Sequence, residues 1–294
     1  MSANPAGCTS HYLACAGREI HCLEWGSGHA KTVVAWHGLA RTARDMDALA
    51  ARLSMEGYRV LCPDLIGRGL SQWSPQPALE YCLDFYAQIA TDFFEAMKIA
   101  KAHWVGTSMG GALGMVCASG LSQPLLRSKI ISLTLNDTAP QVADSAIARI
   151  RGYAGSPPAF QTVVELEQFF RQVYQPYGYL SDAEWRKLTE SSVRRLHDGR
   201  VTPHYDPAMV QQFIHHPNDY LIWAHYDSIQ VPTLCLRGEN SDLVERDTIT
   251  RMMQRGPGTS GLLTVVEVAN CGHAPALNVP GQLDLVVEFL ASVE

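Results

Sequence analysis

The sequence is short of charge. Only 18% of its 294 residues are Asp, Glu, Lys or Arg, while 47% are hydrophobic; a chain of this make-up buries a large core, and extended disorder is excluded. No run of Lys and Arg goes beyond short pairs such as Arg194 and Arg195, and the net charge is −6. The basic footprint of a nucleic-acid binder is therefore missing. The eight cysteines include no CxxC pair, and several sit inside apolar runs such as VLCPD and TLCLRG. That pattern speaks against a zinc site or a disulfide framework and for buried thiols in a reducing compartment. No apolar stretch is long enough to span a membrane, and MSANPAGCTSHYLACAGREI lacks a basic segment followed by an apolar one. A cytoplasmic protein with neither nucleic acid nor membrane as partner is expected.

What is present is an alternation of short β-type runs with longer segments of helical period. HYLACA and EIHCLEW predict an opening hairpin turning near Gly17 and Arg18. TVVAW (32–36), YRVLC (58–62), AHWVGT (102–107), KIISLTLN (129–136), TLCLRG (233–238) and LLTVVEV (262–268) predict further strands, several apolar throughout, as parallel strands buried on both faces are. Helical segments such as ARDMDALAARLSMEG, YCLDFYAQIATDFFEAMKI, SMGGALGMVCASG and PGQLDLVVEFLASVE lie between or after them. The expected fold class is α/β, a doubly wound and mostly parallel sheet.

One region breaks the rhythm. Residues 138–228 offer no convincing strand pair but several helical stretches, VADSAIARIRGYA, TVVELEQFFRQVY, SDAEWRKLTESSVRRL and DPAMVQQFI, rich in aromatics from Tyr153 to Trp223. The reading is a core of residues 1–137 and 229–294 with a helical cap, 138–228, inserted between two strands; the alternative is that these helices pack outside as ordinary layers.

Chemistry concentrates in GTSMGG, Gly106 to Gly111, between a predicted strand and a predicted helix. A strand-to-helix elbow of this kind lifts a serine hydroxyl to the carboxyl edge of a sheet, with glycines where backbones crowd. Ser108 is thus the candidate nucleophile, and the amide of Met109 faces the place where negative charge would develop. A serine needs a base. His273, in NCGHAPAL after the last predicted strand, emerges at the same edge, whereas His215, His216 and His225 fall in the cap. The histidine needs an acceptor for its other ring nitrogen. Asp242, in LRGENSDLV, is the first choice; Asp137, closing KIISLTLND, is the rival, and Glu239 a weaker one. A second oxyanion donor is expected from VVAWHGLAR, where His37 and Gly38 precede the amide of Leu39.

HGLA, CPDLIGRGLS, GTSMGG, RGENSD and NCGHAP, in this order, together resemble the α/β-hydrolase fold superfamily, in particular its capped bacterial esterase-like, lactonase-like and carbon–carbon-bond hydrolase members. The resemblance covers residues 10–137 and 230–290; the cap matches only in architecture. It implies Ser108 as nucleophile, Asp242 as acid, His273 as base, Leu39 and Met109 as oxyanion donors, and no cofactor. A serine at the elbow, where dehalogenases and epoxide hydrolases of the fold carry aspartate, disfavours those chemistries. The implied activity is hydrolysis of a small or medium carboxylic ester or lactone through an acyl-enzyme. Carbon–carbon cleavage and a non-catalytic ligand sensor are the alternatives. The partner expected is a small molecule, and a homodimer is allowed. The cap's aromatics suggest an apolar acyl or alcohol group unless they form the cap's own core. Arg41, Arg44, Asp45 and Arg68 either line the mouth of the site or tie neighbouring turns together.

Overall fold

The computed structural model describes residues 7–293. Glu294, which ends the expected final helix, and the first six residues, on which the reading of the N-terminus partly rests, lie outside the described residues, as does the side chain of Tyr153.

The opening hairpin is β1 (Cys8–Cys15) and β2 (Arg18–Trp25), paired antiparallel with Cys8 opposite Trp25. The strands β3 (Lys31–Trp36), β4 (Tyr58–Pro63), β5 (Ala102–Thr107) and β6 (Ile130–Asn136) follow. A small hairpin, β7 (Val193–Arg195) and β8 (Val201–Pro203), precedes β9 (Thr233–Gly238) and β10 (Leu263–Val268). The main sheet runs β1-β2-β4-β3-β5-β6-β9-β10, parallel from β4 to β10. Every predicted strand is therefore present within a residue of its expected ends, except that β1 begins three residues before HYLACA.

Strand residues alternate between two cores. On β3, Val34 and Trp36 join the cluster that includes Phe93, Leu113 and Val116, while Val33 and Ala35 join Leu49, Leu53, Val286 and Leu290 on the other face. This period of two explains why β3 is apolar from Val33 to Trp36, since neither face meets water there. The helix Met109–Ser119 is buried along its whole length, so it carries no charged residue, and it stops at Gly120, whose φ of 71° closes the helix in the left-handed region.

Residues 138–228 contribute no strand to the main sheet, and they divide in two. Helices Val163–Val173 and Asp182–Ser192, each opened by a capping box (Thr162 with Glu165, Ser181 with Glu184), form a separate cluster of Leu166, Phe170, Tyr174, Trp185 and Val201. From Tyr205 to Ile229, by contrast, Tyr205, Met209, Phe213, Ile222 and Tyr226 pack into the main core. The small hairpin corrects the expectation of a purely helical insertion. The helix over SDAEWRKLTESSVRRL ends at Ser192, and Asp198-Gly199, with Gly199 at φ 86°, turns the chain between β7 and β8. Among the described residues no helix is long and apolar enough to cross a membrane, and Cys15, Cys22, Cys62, Cys82, Cys117, Cys235 and Cys271 are free, buried thiols.

Backbones meet closely beneath Gly106 and Gly110. A Cβ on Gly106 would overlap the backbone of Gly110, and a Cβ on Gly110 would overlap the carbonyl of Trp36. These are backbone atoms that cannot swing away. Gly110→Ala is expected to destabilise the fold by about 2–3 kcal/mol through overpacking, measured by urea unfolding; a change within experimental error would show that β3 and this helix are free to separate.

Candidate functional site

Ser108 follows β5 directly and holds φ 54° and ψ −117°, a left-handed conformation uncommon for any residue but glycine. Its backbone is pinned on both sides. The Ser108 amide donates to the Asn136 carbonyl on the neighbouring strand at 2.9 Å, and the Ser108 carbonyl accepts from Gly111 and Ala112 at 2.9 and 3.0 Å. The strained turn is therefore over-determined by the strand on one side and the helix on the other, which is how such a conformation persists. Ser108 stays partly exposed at the carboxyl edge while the residues beneath it are buried.

The loop after β3 runs alongside. The position a Cβ would take on Gly38 is 3.6 Å from the Ser108 Cβ, so the backbone leading to Leu39 passes close to the serine. His37 anchors this loop: its Nδ1 donates to the Gly38 carbonyl at 2.6 Å and its Nε2 accepts from the Leu65 amide at 3.0 Å. Only the neutral Nδ1–H tautomer makes both bonds, and burial pushes the pKa of His37 below its ordinary value, keeping that form. Arg68, fully buried, fixes the next carbonyl. Its Nε donates to the Leu39 oxygen at 2.8 Å, and its Nη1 donates to the Ile66 carbonyl at 2.7 Å and the Tyr86 hydroxyl at 3.1 Å. The peptide that carries the Leu39 amide is fixed at its other end, where the Gly38 carbonyl also accepts from the Arg41 amide at 3.3 Å, and among the described residues neither the Leu39 nor the Met109 amide has a hydrogen-bond acceptor.

His273 is brought to Asp137, not to Asp242. Its Nδ1 lies 2.7 Å from Asp137 Oδ2, and Asp137 is completely buried. Asp137 also accepts from the Gly238 amide at 2.8 Å and the Ser241 hydroxyl at 2.6 Å. The physical reason is position relative to the strand ends. Asp137 is the first residue past β6 and turns at φ 50°, which aims its carboxylate across the exit of β9. Asp242 lies four residues past β9, after that loop has turned outward; its side chain is 55% exposed and pairs with Arg149 at 2.7 Å. The β9 loop thus supplies a supporting hydroxyl, Ser241, where the acid was expected. Glu239 accepts from the Asn270 amide at 2.9 Å and does not reach the histidine.

Ser108 and His273 face one cavity of about 530 Å³, lined also by Leu39, Arg41, Tyr174 and Asn240. No direct hydrogen bond joins the two side chains. A second, apolar pocket of about 20 Å³ opens beside Ser108 between Leu39, Ile147, Ile150, Phe213, Tyr220 and Leu243. Of the insertion's aromatics, Phe213 and Tyr220 line this pocket and Tyr174 the larger cavity. Phe160, Phe169, Phe170 and Trp185 belong to the insertion's own cluster instead. Of the loop charges, Arg44 binds Asp47 at 2.7 Å and Arg68 braces Leu39, both tying turns together, while Arg41 lines the cavity. Among the described residues no group of three His, Cys, Asp or Glu side chains is placed to hold a metal ion.

This architecture has known counterparts. Residues 33–283 match the model of the alpha/beta hydrolase family. A 3-hydroxybutyrate-oligomer hydrolase of Cupriavidus necator is 34% identical over 302 residues, covering 98% of this chain and 99% of that protein. The crystal structure of an alpha/beta hydrolase from Novosphingobium aromaticivorans superposes with a TM-score of 0.84 at 28% identity, over 98% of this chain and 99% of that one. An enol-lactonase from Burkholderia xenovorans shares the fold, with a TM-score of 0.71 at 20% identity over 96% of this chain and all of the other. An eight-stranded, mostly parallel sheet, a serine on a strained turn between β5 and a buried helix, and a histidine after β10 agree with these likenesses: the chain belongs to the alpha/beta hydrolase family.

Proposed function

We propose that this chain is a serine hydrolase that cleaves esters of short hydroxy acids, with 3-hydroxybutyrate oligomers as its substrate class. The observation that carries the reading is a strained, cavity-facing serine that shares its cavity with a histidine whose Nδ1 is held by a buried aspartate. The activity named for the Cupriavidus relative supports the substrate class, and the small pocket beside Ser108 supports a short acyl group.

The steps balance with substrate, water and these side chains. Ser108 Oγ bonds to the ester carbonyl carbon while His273 Nε2 takes the hydroxyl proton, and the amides of Leu39 and Met109 donate to the oxyanion, each contributing about 3 kcal/mol. Asp137 keeps the proton on Nδ1 and stabilises the imidazolium. The ester C–O bond then breaks, and His273 returns its proton to the leaving alkoxide. Water attacks the acyl-enzyme, His273 takes a proton from it, and the acid departs as Ser108 regains its hydrogen. The missing hydrogen bond between Ser108 and His273 is compatible with this scheme, because such bonds often tighten only when substrate is bound.

Ser108→Ala is expected to lower kcat on p-nitrophenyl butyrate by at least about 10⁴-fold and to abolish labelling by a fluorophosphonate probe. Retained turnover or labelling would place the nucleophile elsewhere. Asp137→Asn is expected to lower kcat by about 10⁴-fold, while Asp242→Asn changes it by less than about fivefold, the effect of an exposed ion pair. Steady-state kinetics on the two variants decides between the carboxylates, and the reverse order would restore Asp242 as the acid.

The apolar pocket sets a further expectation. At about 20 Å³, it is little larger than the roughly 10–15 Å³ a single water requires. Acetyl and butyryl esters should therefore exceed the decanoyl ester by about tenfold or more in kcat/KM. A profile that rises with chain length would contradict the short-acyl reading.

A further inference from the structure

Ser108 and His273 face one cavity from different parts of the chain, the end of β5 and the loop after β10, with no hydrogen bond between their side chains. Their separation is therefore fixed by something else. In the sheet β6 lies between β5 and the last two strands, and its last residue, Asn136, is completely buried. The Asn136 Nδ2 donates to Thr107 Oγ1 at 3.0 Å and to the Pro275 carbonyl at 2.9 Å. Thr107 immediately precedes Ser108, and Pro275 stands two residues after His273. The backbone of Asn136 accepts from the Ser108 amide at 2.9 Å, and the next residue, Asp137, holds His273 Nδ1.

The carboxamide is oriented for its two N–H bonds. A backbone carbonyl can only accept, so the nitrogen and not the oxygen faces Pro275, and Oδ1 is left buried without a partner among the described residues. An unpaired acceptor in the interior costs free energy that an apolar side chain of similar size would avoid. What the carboxamide adds is a tie between the strand that carries the serine and the loop that carries the histidine. Asp137 holds that loop at the imidazole and Asn136 holds it at the backbone, so the ring has two fixed points relative to β6. Ser108 has two as well, through its own amide and through Thr107.

Resting on the hydrolase reading above, we propose that Asn136 is a positioning residue whose carboxamide sets the separation of Ser108 Oγ and His273 Nε2, the path along which the proton moves. It lines neither the reaction cavity nor the acyl pocket, so it acts only through Thr107 and Pro275. A displacement of about 1 Å at a reacting centre can cost about 10²-fold in rate.

Asn136→Ala is expected to lower kcat on p-nitrophenyl butyrate by about 10–100-fold with KM changed by less than about twofold, and to slow fluorophosphonate labelling of Ser108 in step. A double-mutant cycle separates positioning from a general structural role. In a His273→Ala background the same substitution should change the residual labelling rate by less than about twofold, because no base remains to be aligned. Equal losses in the two backgrounds, a raised KM at unchanged kcat, or no loss at all would each overturn the role. If Asn136→Ala shows no cooperative urea transition, two variants of Thr107 carry the test. Thr107→Val, which removes the acceptor, should fall at least about threefold in kcat below Thr107→Ser, which keeps it; equal kcat for the two overturns the role. A wild type that neither cleaves p-nitrophenyl butyrate nor takes up the fluorophosphonate overturns the hydrolase reading and this inference with it, whereas an active, labelled wild type with an additive cycle overturns the role of Asn136 alone.

Discussion

The site hangs on a place where the core has no room for a side chain. Gly106, at the end of β5, meets the backbone of Gly110, and Gly110 meets the carbonyl of Trp36 on β3. The helix after Ser108 can approach the sheet so closely only because both residues lack a Cβ, and that closeness compresses the connection into a single residue. Ser108 absorbs the bend at φ 54°, a strain of about 1–3 kcal/mol that the two buried cores sustain. Without the glycines the helix would stand off, the turn would relax, and the serine would lose its fixed direction.

Around this turn, buried polar groups work as braces. Arg68 holds the Leu39 carbonyl, and neutral His37 holds Gly38 and Leu65 together. Asp64 gathers His21 at 2.7 Å, the Ala43 amide at 2.7 Å and the Leu70 amide at 3.1 Å. Burial works against ionising Asp64, yet these bonds hold its pKa below the ordinary carboxylate value. Each brace satisfies backbone groups that a loop at the sheet's edge would otherwise leave unpaired in the interior. The charged loop residues are thus explained mainly by the shape of the loops they span.

Much of this was legible in the sequence because it follows from local rules. Period-two apolar runs gave the strands, and GTSMGG between a strand and a helix gave the elbow. His273 could be located because it follows the last strand. The histidine's carboxylate partner was harder to read. Asp137 and Asp242 both follow strands, and the difference between them is the direction in which each loop leaves the sheet, set by the turn at φ 50° and by Ser241 reaching back to Asp137. One-dimensional spacing carries no such direction. The β7–β8 hairpin had a signal, Asp198-Gly199, but three-residue strands are too short to show alternation. Arg41 was visible only as a charge in a loop; its burial is a property of the folded state.

The two sides of the candidate site are then set by different parts of the chain. The sheet's edge supplies the serine, the histidine, its aspartate and the two amides, all within a residue or a few of strand ends, and these positions have little freedom to vary without disturbing the core. The insertion supplies Tyr174 over Arg41 and Phe213 with Tyr220, stacked 5.8 Å apart, over the apolar pocket. Tyr174 belongs to the insertion's own cluster and Phe213 to the main core, so a change in the separate helical part would alter the polar side of the site and leave the acyl pocket in place. On the proposed reading, the acyl pocket answers to changes in the main core and the larger cavity to changes in the insertion's cluster, with Leu39, Ser108 and Ile150 as the wall the two share.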